Sequence, residues 1–280
     1  MSQGKAPSEE MSFWDHLEVL RGTLFRSLVA VALFTVVIFC LKGFVFEGII
    51  LAPARADFFL YRLLGIDFSM QLVNIDLTAQ FFIHLKTSIA LGFILSFPYI
   101  CYEVWKFIAP ALYDNERKTV RGAFLFAGGL FYLGVAVGYA IVLPVTLNFF
   151  EGYSVSDSVA NTISLQSYIS LFTSMVLMFG IVFEFPTVIL VLSKFGLITK
   201  QTLRKYRRHA VVVILILAAI ITPADPFSMF VAALPLYLLY EGSVLVCKSG
   251  DEEDDDGDGE AAARAPRAEG RTGGRAKRKN

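Results

Sequence analysis

The chain has 280 residues, 55% hydrophobic and 18% charged, with 25 basic and 25 acidic side chains and a mean hydropathy of +0.59. That balance is too apolar for a water-soluble domain and points to an all-α protein that crosses a membrane several times. Three cysteines, Cys40, Cys101 and Cys247, each in or beside an apolar run, exclude a complete set of disulfides and fit no metal-site spacing.

Residues 1–21 form a polar N-terminal segment. Ser12 and Asp15 make the serine-x-x-acid pattern that opens a helix, and Phe13, Trp14, Leu17 and Leu20 follow at helical spacing. An amphipathic helix on the membrane surface is expected here. Arg21 and Arg26 precede an apolar run in the manner of a signal peptide, but the run starts late and the small-residue site at Ala52-Pro53-Ala54 lies far downstream. The run, Leu24 to Phe46, therefore reads as the first span, with Lys42 reaching the interface by its length. Residues 47–76, broken by Pro53, Gly65 and several charges, read as an ordered loop near the membrane.

A second span covers Ala79 to Trp105, and a polar stretch, Glu103 to Lys118, connects it to a third. The third runs from Gly122 to Leu143 and is closed by Pro144. Its Gly128, Gly129, Gly134 and Gly138 suit close approach of helix backbones in lipid. Residues 148–164 are turn-like, a fourth span runs from Leu165 to Phe195 with Pro186 inside it, and Gly196 to Arg208 reads as a basic loop. The fifth run, Ala210 to Ile221, reaches only about 18 Å, against roughly 30 Å of hydrocarbon. Thr222 to Pro226 breaks the chain before a sixth run, Phe227 to Cys247. Two short spans are expected in preference to a re-entrant hairpin. The domain organisation is thus a 1–21 segment, a six-helix domain over 22–248 and a low-complexity 249–280 tail, acidic then basic, whose composition cannot bury a core.

Lysine and arginine gather in residues 1–26, 106–121 and 194–208, and are absent from 148–164 and 222–227. The positive-inside rule puts the first group, and with it both termini, in the cytoplasm.

Phosphate-binding loops, zinc-protease motifs and paired cysteine clusters are all missing, so neither catalysis nor a cofactor has support. Glu184 lies well inside the fourth span, where a carboxylate costs about 2.5–3.5 kcal/mol to insert. Such an acid faces a cavity, a proton path or a polar partner. Glu103 and Glu116 frame the second connection, and a carboxylate is the natural bidentate partner of arginine. Thr222 and Asp225 are placed to cap the sixth helix. A secondary transporter with Glu184 as its ion or proton site is the alternative. It would need an internal repeat and a broken-helix site, yet the two halves of the chain are dissimilar.

Residues 12–248 resemble the TatC family, the receptor subunit of the twin-arginine protein translocase. The likeness rests on Phe13 with His16-Leu17 and Leu20-Arg21, on Phe81-Phe82 with Lys86 and Ser88, and on Val104-Trp105 with Phe107 to Tyr113 and Glu116-Arg117-Lys118. Phe131, Pro144, Phe149-Phe150, Phe179-Gly180, Phe183-Glu184, Pro186, Thr222-Pro223, Asp225 and Pro235 complete it. The resemblance implies a cupped six-helix protein of a prokaryotic inner membrane, which binds twin-arginine signal peptides on its cytoplasmic face. It would assemble in several copies with small single-span subunits and export folded proteins on the proton-motive force, with no enzymatic step and no nucleic acid. It assigns the reading of the arginines to Glu116 with Phe107 in support, and the concave or partner-binding side to Glu184 and the Thr222 region; Glu103, Glu18 and Arg21 are further candidates for signal-peptide binding, and Asp225 and Pro53 for the partner-binding side. Two positions depart from the family pattern. Val19 stands where an acid is usual, leaving Glu18 or Glu103 to replace it, and Met229 stands where glutamine is common.

Overall fold

The computed structural model describes residues 13–66, 68, 70–109, 114–156, 158, 162–194, 196–223 and 225–247. The 249–280 tail, Ser12 and the Pro110–Tyr113 part of the central connection lie outside the described residues. Helix α1 (Phe13–Cys40) runs without a break through Arg21 into the membrane, so the surface helix expected from Ser12 to Arg21 is, over its described part, not a separate element. A lone glycine, Gly22, costs about 1 kcal/mol and does not end a helix whose apolar residues continue beyond it. The first span stops at Cys40, not Phe46. It is followed by the short α2 (Lys42–Val45), a π-helical turn at Phe46–Ile50 and a 3-10 turn at Ala52–Ala54.

After α3 (Phe59–Leu64), helix α4 (Ala79–Ile108) keeps its course past Pro98. Proline cannot donate to the carbonyl four residues back. That carbonyl belongs to Ile94, and the Tyr132 hydroxyl donates to it instead at 3.2 Å. Pro144 does not close the third span either. Helix α5 (Asp114–Val137) passes through a π-helical turn (Gly138–Val142) into α6 (Leu143–Gly152), which carries Pro144 in its first turn. The wider turn opens the backbone ring where the proline would otherwise clash.

Helices α7 (Leu165–Phe183) and α8 (Phe185–Lys194) make the fourth span with a break at Glu184. The basic loop holds a short helix, α9 (Lys200–Lys205), whose first turn is capped by Thr199 accepting from the Thr202 N–H at 3.2 Å. Helices α10 (Arg207–Ile221) and α11 (Pro226–Val246) follow. Among the described residues, five helical segments are long and apolar enough to cross a membrane. The sixth, α10, spans about 22 Å and is the short one the sequence pattern indicates. Large apolar side chains such as Leu24, Phe25, Leu33, Phe81, Val212 and Leu238 point outward, as they do on a surface that meets lipid.

Without a hydrophobic drive between helices in lipid, close packing must hold the bundle. On α1 and α4 the contacts run in opposite directions. Arg26 meets Glu103, Thr35 meets Gly92 and Phe39 stacks on His84 with centroids 4.0 Å apart, so the helices are antiparallel. Gly134 of α5 and Gly138, the first residue of the π-helical turn, lie against Phe179, Phe183 and Met175 of α7, while Gly180 of α7 receives Phe131 and Val135. Of the four glycines singled out in the third span, Gly128 and Gly129 face open space.

One end of the bundle is closed by the 47–76 and 153–164 segments. Strand β1 (Leu72–Val73) pairs in parallel with β2 (Ile163–Ser164). Three tyrosine hydroxyls tie the irregular backbone down. Tyr61 donates to the carbonyls of Pro53 and Pro144, Tyr139 to Ile49 and Tyr168 to Ile50. Burial pushes the Tyr61 phenol above its usual range, so it keeps its proton and remains a donor.

A Cβ at Gly134 would sit 2.5 Å from the Phe179 carbonyl oxygen. Gly134→Ala is therefore expected to cost about 1–3 kcal/mol by overpacking, read as a lowered melting midpoint in detergent. Gly129→Ala, into open space, should stay within about 0.5 kcal/mol of the parent. Equal effects of the two would contradict the packing described.

Candidate functional site

The end opposite the tyrosine-tied cap collects the N-terminal turns of α1, the last turn of α4, the first turn of α5, α9 and the end of α11. Along α4, Tyr99, Glu103 and Phe107 stand at successive four-residue steps and so share one face. Glu103 is 3% exposed. Its Oε2 accepts from Arg26 Nε at 2.8 Å and its Oε1 from the Tyr99 hydroxyl at 3.0 Å. Arg26 also donates to the Thr23 hydroxyl at 3.4 Å, and its side chain is 43% exposed. A buried carboxylate is thus matched on one side by a guanidinium that still reaches solvent.

Phe107, one turn beyond Glu103, is half-buried in the last turn of α4. Glu116 falls in the first turn of α5. The Trp105–Phe124 and Ile94–Tyr132 contacts run in opposite directions along the two helices, so the end of α4 and the first turn of α5 lie at one end, and the Glu116 side chain lies outside the described residues. Trp105 packs on Phe124 across that hairpin, with centroids 5.5 Å apart. On α1, Glu18, Val19 and Arg21 are all exposed. Glu18 lies two turns, about 12 Å, beyond Arg26 along the helix, and makes no ion pair with a described residue. The structure therefore brings Glu103 and Phe107 together and leaves Glu18 and Arg21 on a projecting turn. Arg26 and Tyr99 are members of this site that motif reading missed. The signal was present: an arginine entering an apolar run needs an acid, and Tyr99 precedes Glu103 by one helical turn.

The second group of residues divides. Glu184 forms the break between α7 and α8, about 28 Å along the axis from the start of α7. Pro186 cannot donate to the Val182 carbonyl, which loosens that turn. The Glu184 Oε1 is buried with no hydrogen-bond partner. Thr222, Asp225 and Pro53 have identifiable jobs at the capped end. Thr222 donates to the Ala218 carbonyl at 2.9 Å, and Asp225 caps α11 by accepting from the Ser228 N–H at 2.7 Å. The Pro53 carbonyl takes the Tyr61 hydroxyl at 2.9 Å. Glu184 is not gathered with them.

Among the described residues no group of histidine, cysteine and acidic side chains has the arrangement of a metal site. The class defined is a multi-pass, all-α membrane protein with a charged, aromatic-bearing end. Comparison with known proteins narrows it. The family model described as Sec-independent protein translocase protein (TatC) matches residues 15–235, and the chain belongs to that family. It is 41% identical over 257 residues to the protein named Sec-independent protein translocase protein TatC of a Blattabacterium, covering 86% of this chain and 97% of the relative. The like-named protein of Desulforapulum autotrophicum is 34% identical over 254 residues, covering 91% and 90%. A crystal structure described as the twin arginine translocase receptor TatC in DDM superposes with a TM-score of 0.71 at 35% identity, covering 83% of this chain and 99% of that one. The chain is accordingly a component of a protein translocase.

The two halves of the ion pair should respond unequally to mutation. Arg26→Gln leaves a buried carboxylate with only Tyr99 and should cost about 2 kcal/mol. Glu103→Gln leaves a half-exposed arginine that water can solvate and should cost about 1 kcal/mol or less. In a double-mutant cycle on unfolding midpoints, the pair should lie close to Glu103→Gln alone. Strict additivity would contradict the pairing.

Proposed function

We propose that this chain is the receptor subunit of a twin-arginine translocase in a prokaryotic inner membrane, with both termini and the Glu103–Glu116 end on the cytoplasmic side. The observation that carries the reading is that Phe107, in the last turn of α4, and the first turn of α5, which bears Glu116, lie at the same end of the bundle, where lysine and arginine gather. A carboxylate there meets an incoming guanidinium bidentately, and an aromatic ring beside it stacks on the guanidinium plane. An ammonium has the charge but not the fork.

Glu103 is already engaged by Arg26 and Tyr99. Its role is to position: it holds α1 against α4 one turn below Phe107. Of the two replacements for the acid absent at Val19, Glu18 is the better supported, because it is exposed on the projecting turn of α1 together with Arg21. The work of the chain is binding and translocation of folded cargo, not catalysis, driven by the proton-motive force and carried out in a multi-copy complex. Small single-span subunits dock along the membrane face. Glu184, with its unpartnered oxygen, provides one polar contact at depth, and the Thr222–Asp225 turn and Pro53 region provide another at the capped end. One membrane-spanning helix is long enough to touch both.

Binding of a twin-arginine signal peptide to the purified protein, with a twin-lysine peptide as control, tests this reading. A charge-assisted contact of about 1.5–3 kcal/mol predicts that Glu116→Gln weakens the arginine peptide by roughly ten- to a hundred-fold and abolishes the preference over lysine. Glu18→Gln should weaken it less, and Glu103→Gln should leave the preference in place. A parent protein that does not distinguish arginine from lysine in the presence of its partner subunits would overturn the receptor role.

A further inference from the structure

Among the described residues, the basic corner formed by α9 and the start of α10 has no acidic complement beyond one pair. Arg207 is bound to Glu241 of α11 at 2.6 Å. Lys200, Arg204, Lys205 and Arg208 pair with no carboxylate among the described residues. Arg204, Lys205 and Arg208 are exposed and Lys200 is partly so. Four like charges within nine residues repel one another, and a rigid short helix and its neighbour hold them close.

The end of α11 is fastened to this same corner. Tyr240 donates to the Leu203 carbonyl of α9 at 2.7 Å, and Cys247 Sγ lies 3.0 Å from Ser193 Oγ and 3.9 Å from the Ile198 carbonyl. The chain thus leaves the bundle beside the entry to α9. Three residues later the sequence turns acidic: eight of the ten residues from Asp251 to Glu260 are aspartate or glutamate.

We propose that the Asp251–Glu260 segment docks on the α9–α10 basic corner of its own chain, as a built-in anionic cover for Lys200, Arg204, Lys205 and Arg208. Reach permits it. At about 3.3–3.6 Å per extended residue, Asp251 lies within about 14 Å of Cys247 and Glu260 within about 45 Å. Affinity need only be weak, because a linker this short gives a millimolar effective concentration. The cations of the corner are held by folded backbone, whereas the basic residues at the end of the tail, Arg264 to Lys279, are spread over a longer stretch and spaced by glycine and alanine. Docking the acidic run on the fixed corner leaves the basic end for an anionic lipid surface.

The test is zero-length carbodiimide cross-linking of the full chain in lipid nanodiscs, read by mass spectrometry. Expected are isopeptide links joining Lys200 or Lys205 to carboxylates of 251–260 at low salt. They should be lost at about 1 M salt, where the screening length is about 3 Å. Arg204→Gln with Arg208→Gln, which leaves both reactive lysines in place, should reduce them at least about threefold. Links from the acidic run only to Lys277 or Lys279 would overturn the proposal in favour of pairing within the tail. Links to Lys200 or Lys205 that persist unchanged at high salt and in the double variant would overturn it too, because they report tethering alone.

Discussion

A carboxylate in an apolar layer must be matched, and in this bundle the match at Glu103 sets the geometry around it. Arg26 and Tyr99 take one oxygen each, so the α1–α4 register is pinned at the charged end. Farther along, Thr35 lies against Gly92, and Phe39 against His84. A one-residue slip of α1 would turn Arg26 by about 100° away from Glu103. Phe107 and the head of α5 are positioned only because α4 is held in this way. The guanidinium that satisfies Glu103 remains 43% exposed, which keeps the cost of the buried acid low without a second buried charge.

Elsewhere the bundle relies on contact and not on charge. The α5–α7 seam is built from Gly134, Gly138 and Gly180, which let phenylalanine rings and backbone approach to distances that no Cβ permits. At the opposite end, irregular backbone is made tolerable by donors from outside it. Tyr61, Tyr139 and Tyr168 supply hydroxyls to carbonyls that no helix satisfies. The same device repairs α4, where Tyr132 replaces the hydrogen bond that Pro98 cannot make. Three of the prolines in the spans are handled differently: Pro98 by an outside donor, Pro144 by a π-helical turn, and Pro186 by an outright break at Glu184.

Much of this was legible in the chain because it is local. Apolar runs located the helices, the shortness of α10 followed from its twelve apolar residues, and Asp225 announced itself as a cap. What stayed hidden is either backbone geometry that the residue pattern does not signal or a partner distant in sequence. Pro144 reads as a stop until the π-helical turn ahead of it is seen. The surface helix merged into α1 because nothing between Arg21 and Leu24 breaks it. Glu103 reads as a ligand for an incoming arginine, yet its arginine comes from α1, 77 residues earlier. Glu184, Thr222, Asp225 and Pro53 are grouped by resemblance alone, and sequence does not tell that Glu184 lies at a different depth from the other three.

The central claim is that recognition takes place at the Glu103–Phe107 end of the bundle and not at the tyrosine-tied end. Photo-cross-linking tests it most directly. A photoreactive residue is placed at Phe107 in one variant and at Phe150 in another, in membrane vesicles presented with a folded cargo bearing a twin-arginine signal peptide. The account predicts adducts to the signal peptide from position 107, lost when the arginines are replaced by lysines, and none from position 150. Adducts from position 150, or adducts at 107 with equal yield for the lysine peptide, would contradict it.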